Sequence, residues 1–391
     1  MPSRGMFLEG VRVIEFCQVA AGPFCGMLLA DFGADVVKIE NPSTGDGLRQ
    51  WPPLTDGFSE NFASLNRNKR SVALDLKDPA QRQAAFDLCA RAQVVIENNR
   101  PGVMARLGLD YEAIREANPK IVYCSISGFG QFGPRAQQGA FDVTVQAIAG
   151  VMSVTGEPDG APVKCGVPIS DFSTGLYGAF AVASALRSVE ETGQGAHVDI
   201  SLLGATLGVA ALQTSEYFGT GKTPKKLGAA HPRNAPYEAF RALDGWFVMA
   251  AGNNKLWESV CQSIGMPELY EDPRFVTNGK RAAAQKELRA VLEERFVTQP
   301  ASHWIETFLS VGVPCGPING YDEVLDEPQV KAMGWVKELE LPSGKKTRTF
   351  GSPFVVDGRS LEIRRPAPEL GQHNSEILSE LRQGEMATGG H

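Results

Sequence analysis

Val11-Arg-Val-Ile-Glu-Phe16 is predicted to form a β-strand because of its β-branched content. Gly22-Pro23 is expected to break the chain, and residues 24–32 have the pattern of a helix that ends at Gly33. Asp35-Val-Val-Lys-Ile-Glu40 is a second predicted strand. A strand, a short helix and a strand in succession indicate the beginning of a parallel α/β sheet.

The same alternation continues, with further strands predicted at 72–76, 93–97, 120–127 and 197–201. We therefore expect an α/β fold, with an open Rossmann-like parallel sheet in a large domain and a smaller α/β domain. Ligands of such sheets bind at the carboxyl ends of the strands. The candidate site loops are accordingly residues 19–23, Asn41 and residues 98–100.

A polar segment separates the two predicted domains. Gly219-Thr-Gly-Lys-Thr-Pro-Lys-Lys-Leu-Gly228 has the Gly, Lys and Pro content of a linker. The prediction is a large domain over 1–220, a linker and small domain over 221–325, and a C-terminal segment over 326–391 that returns to the large domain.

Composition limits the function classes. The 391 residues are enough for two domains, and a net charge of −7 gives no basic footprint for nucleic acid. No apolar run is long enough to cross a bilayer, and the N-terminal residues have no signal-peptide pattern. Seven scattered cysteines without a CxxC pair suggest neither a disulfide framework nor a metal site. A cytoplasmic enzyme is the expectation.

The segment Gly166-Val-Pro-Ile-Ser-Asp-Phe-Ser-Thr-Gly-Leu-Tyr-Gly178 is predicted to be a loop that opens a helix. Asp171 lies where the chain enters that helix, which allows two interpretations. Asp171 or Ser170 could serve as the N-cap, accepting a backbone N–H. Alternatively, Asp171 is a reactive carboxylate that attacks an activated acyl group, with its ionised form favoured by the helix N-terminus.

Gly128-Phe-Gly-Gln-Phe-Gly133 matches the GxGxxG pattern and follows a predicted strand. Binding of NAD or FAD is nevertheless disfavoured, because Pro134 comes next and no convincing helix starts there. The motif also lies late in the sheet rather than at its first strand–helix turn.

Several motifs occur together along nearly the whole chain. In order, they include Ala21-Gly-Pro23, Gly33-Ala-Asp-Val-Val-Lys-Ile-Glu40, Leu65-Asn-Arg-Asn-Lys-Arg-Ser71, Gly128-Phe129-Gly130, Asp171-Phe-Ser-Thr-Gly175, Gly312-Val-Pro-Cys-Gly-Pro317 and Gly371-Gln-His373. Through them the chain resembles the class III CoA-transferases of the CaiB/BaiF type, the family of formyl-CoA transferase and carnitine CoA-transferase.

The resemblance implies an activity and an assembly. It makes Asp171 the nucleophile, acting through an aspartyl anhydride and an aspartyl-CoA thioester. It implies coenzyme A thioesters and small carboxylic acids as substrates, no metal and no tightly bound cofactor. It also implies a homodimer of two interlocked ring-like chains. A water-excluding site and backbone N–H groups, with the Gly252 segment as one source, would protect and stabilise the intermediates.

The family's CoA contacts match positions on the large domain. These are Val19, Asn41, Leu74, Lys77, Asn98, Asn99, Arg106 and Phe141. Lys77 and Arg106 could meet phosphates or could be solvated surface charges, and Leu74 could line an adenine pocket. Predicted substrate contacts on the same basis are Ala20, Gly252 and Asn253.

Some positions depart from formyl-CoA transferase, which has glutamine at Ala20, arginine at Asn41, lysine at Gly139 and tyrosine at Phe141, and a four-glycine flap where this chain has Gly252-Asn253-Asn254. Formyl-CoA and oxalate exchange is therefore disfavoured.

α-Methylacyl-CoA racemases of the same fold family place a histidine at the position of Phe141, and phenylalanine cannot move a proton. This disfavours the racemase alternative. A non-catalytic CoA- or nucleotide-binding protein is the alternative from another class.

The succinate–hydroxymethylglutarate group of the family shows the nearest resemblance. Shared segments include Thr174-Gly-Leu-Tyr177, Ala251-Gly-Asn-Asn254 and Glu327-Pro-Gln-Val330. Succinyl-CoA or a similar donor and a short dicarboxylate acceptor are the expectation. His231 and Arg233 are candidate partners of the second carboxylate, with local packing or capping as the alternative for His231.

Overall fold

The computed structural model describes residues 6–388. Its described residues form two compact units. Unit 1 draws on Met1–Val151, Lys164–Gly221 and Pro328–His391, and unit 2 on Met152–Val163 and Lys222–Glu327. Over the described residues, no helix combines the length and the hydropathy that crossing a membrane requires.

The described residues contain fifteen strands. In chain order they are β1 (Arg12–Phe16), β2 (Asp35–Glu40), β3 (Leu54–Thr55), β4 (Phe58–Ser59), β5 (Lys69–Ala73), β6 (Val94–Glu97), β7 (Val122–Ser127), β8 (Ala196–Ser201), β9 (Tyr237–Arg241), β10 (Trp246–Ala250), β11 (Cys315–Pro317), β12 (Val336–Glu340), β13 (Lys346–Phe350), β14 (Val355–Val356) and β15 (Arg359–Ser360).

The helices are α1 (Ala21–Asp31), α2 (Glu60–Leu65), α3 (Pro79–Ala90), α4 (Val103–Leu107), α5 (Tyr111–Ala117), α6 (Asp142–Ile148), α7 (Val151–Val154), α8 (Ile169–Thr192), α9 (Leu202–Val209), α10 (Ala211–Thr220), α11 (Asn254–Ser263), α12 (Asn278–Ala283), α13 (Gln285–Phe296), α14 (Ala301–Ser310), α15 (Tyr321–Val324), α16 (Pro328–Met333) and α17 (Asn374–Thr388). Short 3₁₀ turns span Gly47–Gln50 and Pro267–Tyr270.

Unit 1 is built on a parallel sheet. Within residues 6–388 this sheet has six strands in the order β5-β2-β1-β6-β7-β8. Strand β1 runs parallel to both neighbours, with Val13 opposite Val36 on one side and Val94 on the other. The order reverses between β1 and β6, as in doubly wound folds. The α/β prediction with an open Rossmann-like sheet is confirmed.

Helix α1 begins earlier than the sequence pattern indicates. It starts at Ala21, so Gly22-Pro23 lies inside its first turn and does not break the chain. Proline is tolerated there because the first N–H groups of a helix have no intrahelical partner. A β carbon at Gly175 of α8 would lie 2.7 Å from the Ala21 carbonyl oxygen. The glycine therefore lets the start of α8 approach the start of α1 closely.

A cluster of buried charges lies on strands β1, β2 and β5 and on the loop that follows β2. Lys38 Nζ lies 2.9 Å from Glu15 Oε1 and 3.0 Å from Asp46 Oδ2, and Lys69 Nζ lies 2.8 Å from Glu15 Oε2. All four side chains are buried. The sequence pattern predicted that the third strand of the sheet starts at Val72, but this strand, β5, starts at Lys69. Opposite charges inside the fold let this lysine occupy a buried strand.

The C-terminal helix α17 covers the edge strand β5. Arg70 Nη1 contacts Glu376 Oε1 at 2.6 Å and Glu380 Oε1 at 2.8 Å. The Asn374 side chain accepts a hydrogen bond from the Ala73 backbone N–H at 2.8 Å. The ion pairs fix the helix against the strand, and the Asn374 contact satisfies a backbone group that an edge strand would otherwise expose.

Unit 2 holds an antiparallel sheet. Its three strands within the described chain have the order β11-β10-β9, and Phe247 of β10 lies opposite Phe240 of β9. The ring of Phe296 from α13 packs on both phenylalanines at 5.2–5.4 Å between ring centroids. Aromatic side chains therefore make up much of the core of this unit.

A substitution of Gly26 tests how tightly helix α1 packs against the buried charge cluster. A β carbon at this position of α1 would collide with the Glu15 carboxylate. We expect Gly26→Ala to lower the free energy of unfolding by about 1–3 kcal/mol, since overpacking outweighs the helix preference of alanine. Chemical denaturation measures the change.

The matched control is Gly219→Ala in α10, where a β carbon meets no atom within 4 Å. This variant should gain up to about 1 kcal/mol from helix propensity. Equal stability of the two variants would contradict the packing argument.

Candidate functional site

The loops after β1 and β6 meet where the strand order reverses. Asn98 joins them: its Oδ1 accepts from the Gln18 N–H at 2.9 Å, and its Nδ2 donates to the Gln18 carbonyl at 2.8 Å. Next to Gln18, Val19 has φ of 67° and donates its N–H to Asp46 Oδ1 at 3.0 Å. These fixed loops form one wall of a cavity at the position where doubly wound sheets bind ligands.

This cavity has a volume of about 460 Å³. Its lining brings together six of the predicted site residues: Val19, Ala20, Asn98, Asn99, Phe141 and Asp171. We call it the Asp171 pocket.

Asp171 is not the cap of its helix. Helix α8 begins at Ile169, its N-cap position is Pro168, and no side chain caps it there. The cap interpretation of Ser170 or Asp171 is therefore wrong. The Ser170 N–H donates instead to Asp142 Oδ1 at 2.9 Å. Asp142 carries out the capping role, which leaves the Asp171 carboxylate in the first turn and on the pocket.

Burial raises the pKa of Asp171 to about 6, and repulsion from Asp142 adds to the shift. A carboxylate with this pKa is more basic than an ordinary aspartate, and it is still mostly ionised at neutral pH. Both properties suit a nucleophile.

Gln146 and Asp142 hold the loop that leads to Asp171. The Gln146 side chain is buried, and its Nε2 donates to Asp142 Oδ2 at 2.7 Å. Its Oε1 accepts from the Cys165 N–H at 2.8 Å. From the sequence alone these residues have no assigned role. The available signal was an aspartate and a glutamine one turn apart in a helix whose other residues, apart from Thr144, are apolar.

A second cavity, of about 240 Å³, collects other predicted CoA contacts. Its lining includes Asn41, Leu74, Lys77 and Asn99. Asn99 lines both cavities, so they share a wall. Leu74 is buried there and Lys77 is exposed, which is compatible with an adenine contact and a phosphate contact respectively.

Of the predicted CoA contacts, Asn41 also has a local role and Arg106 lies outside both cavities. The Asn41 side chain accepts from the Ser43 N–H at 2.9 Å and so stabilises its own turn. Arg106 lies on α4, exposed, and is not part of the lining of either cavity.

The predicted substrate contacts of unit 2 form a group of their own. His231 Nδ1 accepts from the N–H groups of Arg233 and Asn234, both at 3.1 Å. Burial and the charge of Arg233 lower the pKa of His231, which keeps Nδ1 an acceptor. The local capping alternative therefore describes His231. Asn253 caps α11 by accepting from the Leu256 N–H at 2.9 Å. A β carbon at Gly252 would lie 2.8 Å from Asn234 Cβ.

The GxGxxG segment does not open a helix. Residues 128–141 form turns and loops, and the Gly130 N–H donates to Ser127 Oγ at 2.9 Å. The helix N-terminus that holds a dinucleotide pyrophosphate is missing from this described segment. The structure therefore gives the dinucleotide interpretation no support.

Comparisons with known proteins identify the family of the chain. The model of CoA-transferase family III matches residues 8–374. The chain is 40% identical to the succinate–glutarate CoA-transferase of Agrobacterium fabrum, over 97% of each protein. It is also 40% identical to the human succinyl-CoA:glutarate CoA-transferase, over 98% of this chain and 88% of that protein.

A solved structure shows the same similarity. The crystal structure of a CaiB/BaiF family protein from Brucella suis has 38% identity and a TM-score of 0.86, covering 97% of this chain and 100% of that one. The chain therefore belongs to CoA-transferase family III, and it is a class III CoA-transferase.

Proposed function

We propose that this enzyme moves CoA from a short acyl-CoA, succinyl-CoA or a close analogue, to a short dicarboxylic acid, with Asp171 as the nucleophile. The observation that carries the proposal is the Asp171 carboxylate on the Asp171 pocket, free of the capping role and with a pKa of about 6. The names of the two curated relatives, which pair succinate with glutarate, support the substrate class.

The first half of the reaction releases the donor acid. A carboxylate oxygen of Asp171 attacks the thioester carbonyl, the C–S bond breaks, and a mixed anhydride and CoA thiolate form. The thiolate then attacks the aspartyl carbonyl of the anhydride. Its C–O bond breaks, the donor acid leaves as a carboxylate, and Asp171 holds CoA as a thioester.

The second half repeats these exchanges in reverse. The acceptor carboxylate attacks the aspartyl-CoA carbonyl and displaces CoA thiolate, which gives a second mixed anhydride. The thiolate attacks the acceptor's acyl carbonyl, and the Asp171 carboxylate leaves unchanged. Both intermediates would hydrolyse in water, so their survival depends on a site that excludes it.

The two neighbouring cavities match the two ends of coenzyme A. We assign the adenine end to the cavity lined by Leu74, with Lys77 placed to meet a phosphate. Asn98 and Asn99, on the loop between the cavities, are positioned for the connecting pantetheine chain. The thioester then lies beside Asp171. Arg106 stays a proposed phosphate contact from the neighbouring helix.

Racemisation is the weaker assignment. It requires a group that moves a proton at the acyl α-carbon. Phe141, which lines the Asp171 pocket at the position where the resemblance places the racemase histidine, has no such group.

We extend the proposal to a homodimer. Helices α8 and α10 of unit 1 expose large apolar side chains, among them Leu176 at 50%, Phe180 at 73%, Leu212 at 62% and Phe218 at 82%. Exposed apolar surface on this scale is typical of a protein interface, and a second copy of the chain is the partner that the family resemblance implies.

Covalent labelling tests the nucleophile. After incubation with succinyl-CoA and borohydride, we expect peptide mass mapping to find Asp171 reduced to an alcohol, because borohydride reduces an aspartyl thioester. Asp171→Asn should remove both the label and at least about 10³ of the transfer rate. An unlabelled Asp171 with every acyl-CoA tried, together with solvent-deuterium exchange at the α-carbon, would favour a racemase instead.

The pH dependence tests the environment of Asp171. Acylation of the enzyme should increase as pH rises through about 6, because only the ionised carboxylate attacks. The pKa of Asp171 is higher in the folded protein than in the unfolded chain, so the folded protein binds more protons between pH 4 and 6. The free energy of unfolding therefore falls as the pH rises through this range.

Removing the negative charge of Asp171 should remove this loss of stability. We expect Asp171→Asn to be more stable than the natural protein by about 1–3 kcal/mol at pH 7.5 and equally stable near pH 4. Denaturation at the two pH values measures this. A difference that does not depend on pH would contradict the raised pKa.

Light scattering after size exclusion tests the dimer. The natural protein should have twice its chain mass of 42.1 kDa, and Phe180→Asp should shift it toward one chain mass because an aspartate cannot be buried unpaired. A monomeric natural protein at micromolar concentration would contradict the proposal.

A further inference from the structure

The charges around the Asp171 pocket are unusually few. Among the described residues that line it, Asp171 carries the only negative charge and Arg100 the only positive charge. Arg100 belongs to the candidate loop at residues 98–100, where the sequence pattern indicated no role for its side chain.

Arg100 is anchored by its backbone while its guanidinium stays available. Its carbonyl accepts from the Val103 N–H at 3.1 Å, which ties the residue to the start of α4. Within the described chain, the guanidinium forms neither a hydrogen bond nor an ion pair, and the residue is exposed. A guanidinium offers five N–H donors in a planar fork, so its unused donors are available to a ligand.

Gly139 leaves space for this side chain. A β carbon at Gly139 would lie 2.9 Å from Arg100 Nη2. Gly139 lines the Asp171 pocket as well. Because Gly139 has no side chain, the guanidinium of Arg100 can lie against this wall of the pocket.

A dicarboxylate needs such a group. One carboxylate must react at the aspartyl-CoA thioester of Asp171, and the other enters the same pocket as an anion that loses part of its hydration there. A guanidinium binds a carboxylate with two parallel hydrogen bonds and so offsets the cost of that desolvation. His231, one of the two candidate partners from the sequence, already uses Nδ1 to accept backbone N–H groups.

We propose that Arg100 binds the distal carboxylate of the acceptor acid, with Gly139 keeping its place, and so determines the preference for dicarboxylates. This inference rests on the proposed function, because it assumes that acyl transfer occurs at Asp171. Arg100 is then a specificity-determining residue and takes no part in the bond changes.

The test compares glutarate with monomethyl glutarate, which keeps the chain length and one carboxylate but loses the distal charge. With saturating succinyl-CoA, kcat/KM for the acceptor reports the acceptor's half-reaction alone in a double-displacement mechanism. The natural enzyme should prefer glutarate by about tenfold or more. In Arg100→Gln the ratio should fall to near one, and Arg100→Lys should restore part of it.

Two further variants separate a distal-carboxylate role from other roles. Gly139→Ala should lower the ratio by displacing the guanidinium. Arg106→Gln should raise KM for acyl-CoA through a phosphate contact and leave the ratio unchanged. All variants should still acquire the borohydride label at Asp171, which shows that they fold and react.

The possible results distinguish a failure of the inference about Arg100 from a failure of the proposed function. If the natural enzyme does not discriminate between the two acids, or if Arg100→Gln loses activity with both equally, the inference is overturned. The same holds if neither glutarate nor succinate is an acceptor although Asp171 is labelled. If Asp171 is never labelled, the proposed function itself fails, and the result is distinguishable from a failure of the inference about Arg100.

Discussion

The buried ion cluster around Lys38 is the constraint on which the site depends. The Lys38 ammonium contacts Glu15 and Asp46 and donates to the Cys17 carbonyl at 2.5 Å. Burial alone would lower the pKa of Lys38, but the two carboxylates reverse the effect and raise it. Lys38 therefore stays charged, and removing one of its carboxylate partners would leave an uncompensated buried charge.

This cluster is connected to the loop that lines the Asp171 pocket through a single carboxylate, that of Asp46. Asp46 pairs with Lys38 through one oxygen and accepts the Val19 N–H through the other. Burial would raise the pKa of Asp46, but Lys38 and two backbone N–H groups lower it, so the anchor stays ionised. Val19 can thereby hold a positive φ, which is uncommon for a β-branched residue. The loop shape that forms the pocket wall is in this way supported by charges beneath the sheet.

The sequence predicted the architecture because the alternation of strands and helices is a local pattern. It also placed Asp171 at the start of a helix and the loops at residues 19–23 and 98–100 at one edge of the sheet. It could not place the buried Lys69 in strand β5, because its partner, Glu15, is distant in the chain. For the same reason it offered Ser170 or Asp171 as a possible cap and gave Asp142 no such role.

The pocket's own chemistry explains why acyl exchange suits it better than proton transfer. Among the described residues that line it, Asp171 is the only group able to accept a proton near neutral pH, since an arginine does not release one. General acid–base chemistry at carbon requires a second such group to return the proton on the other face. CoA transfer requires none, because every nucleophile and every leaving group in it is a carboxylate or a thiolate. In the proposed reaction, the single partly buried carboxylate of Asp171 is therefore sufficient for the covalent part, while Asp142 accepts the Ser170 N–H at the start of the helix.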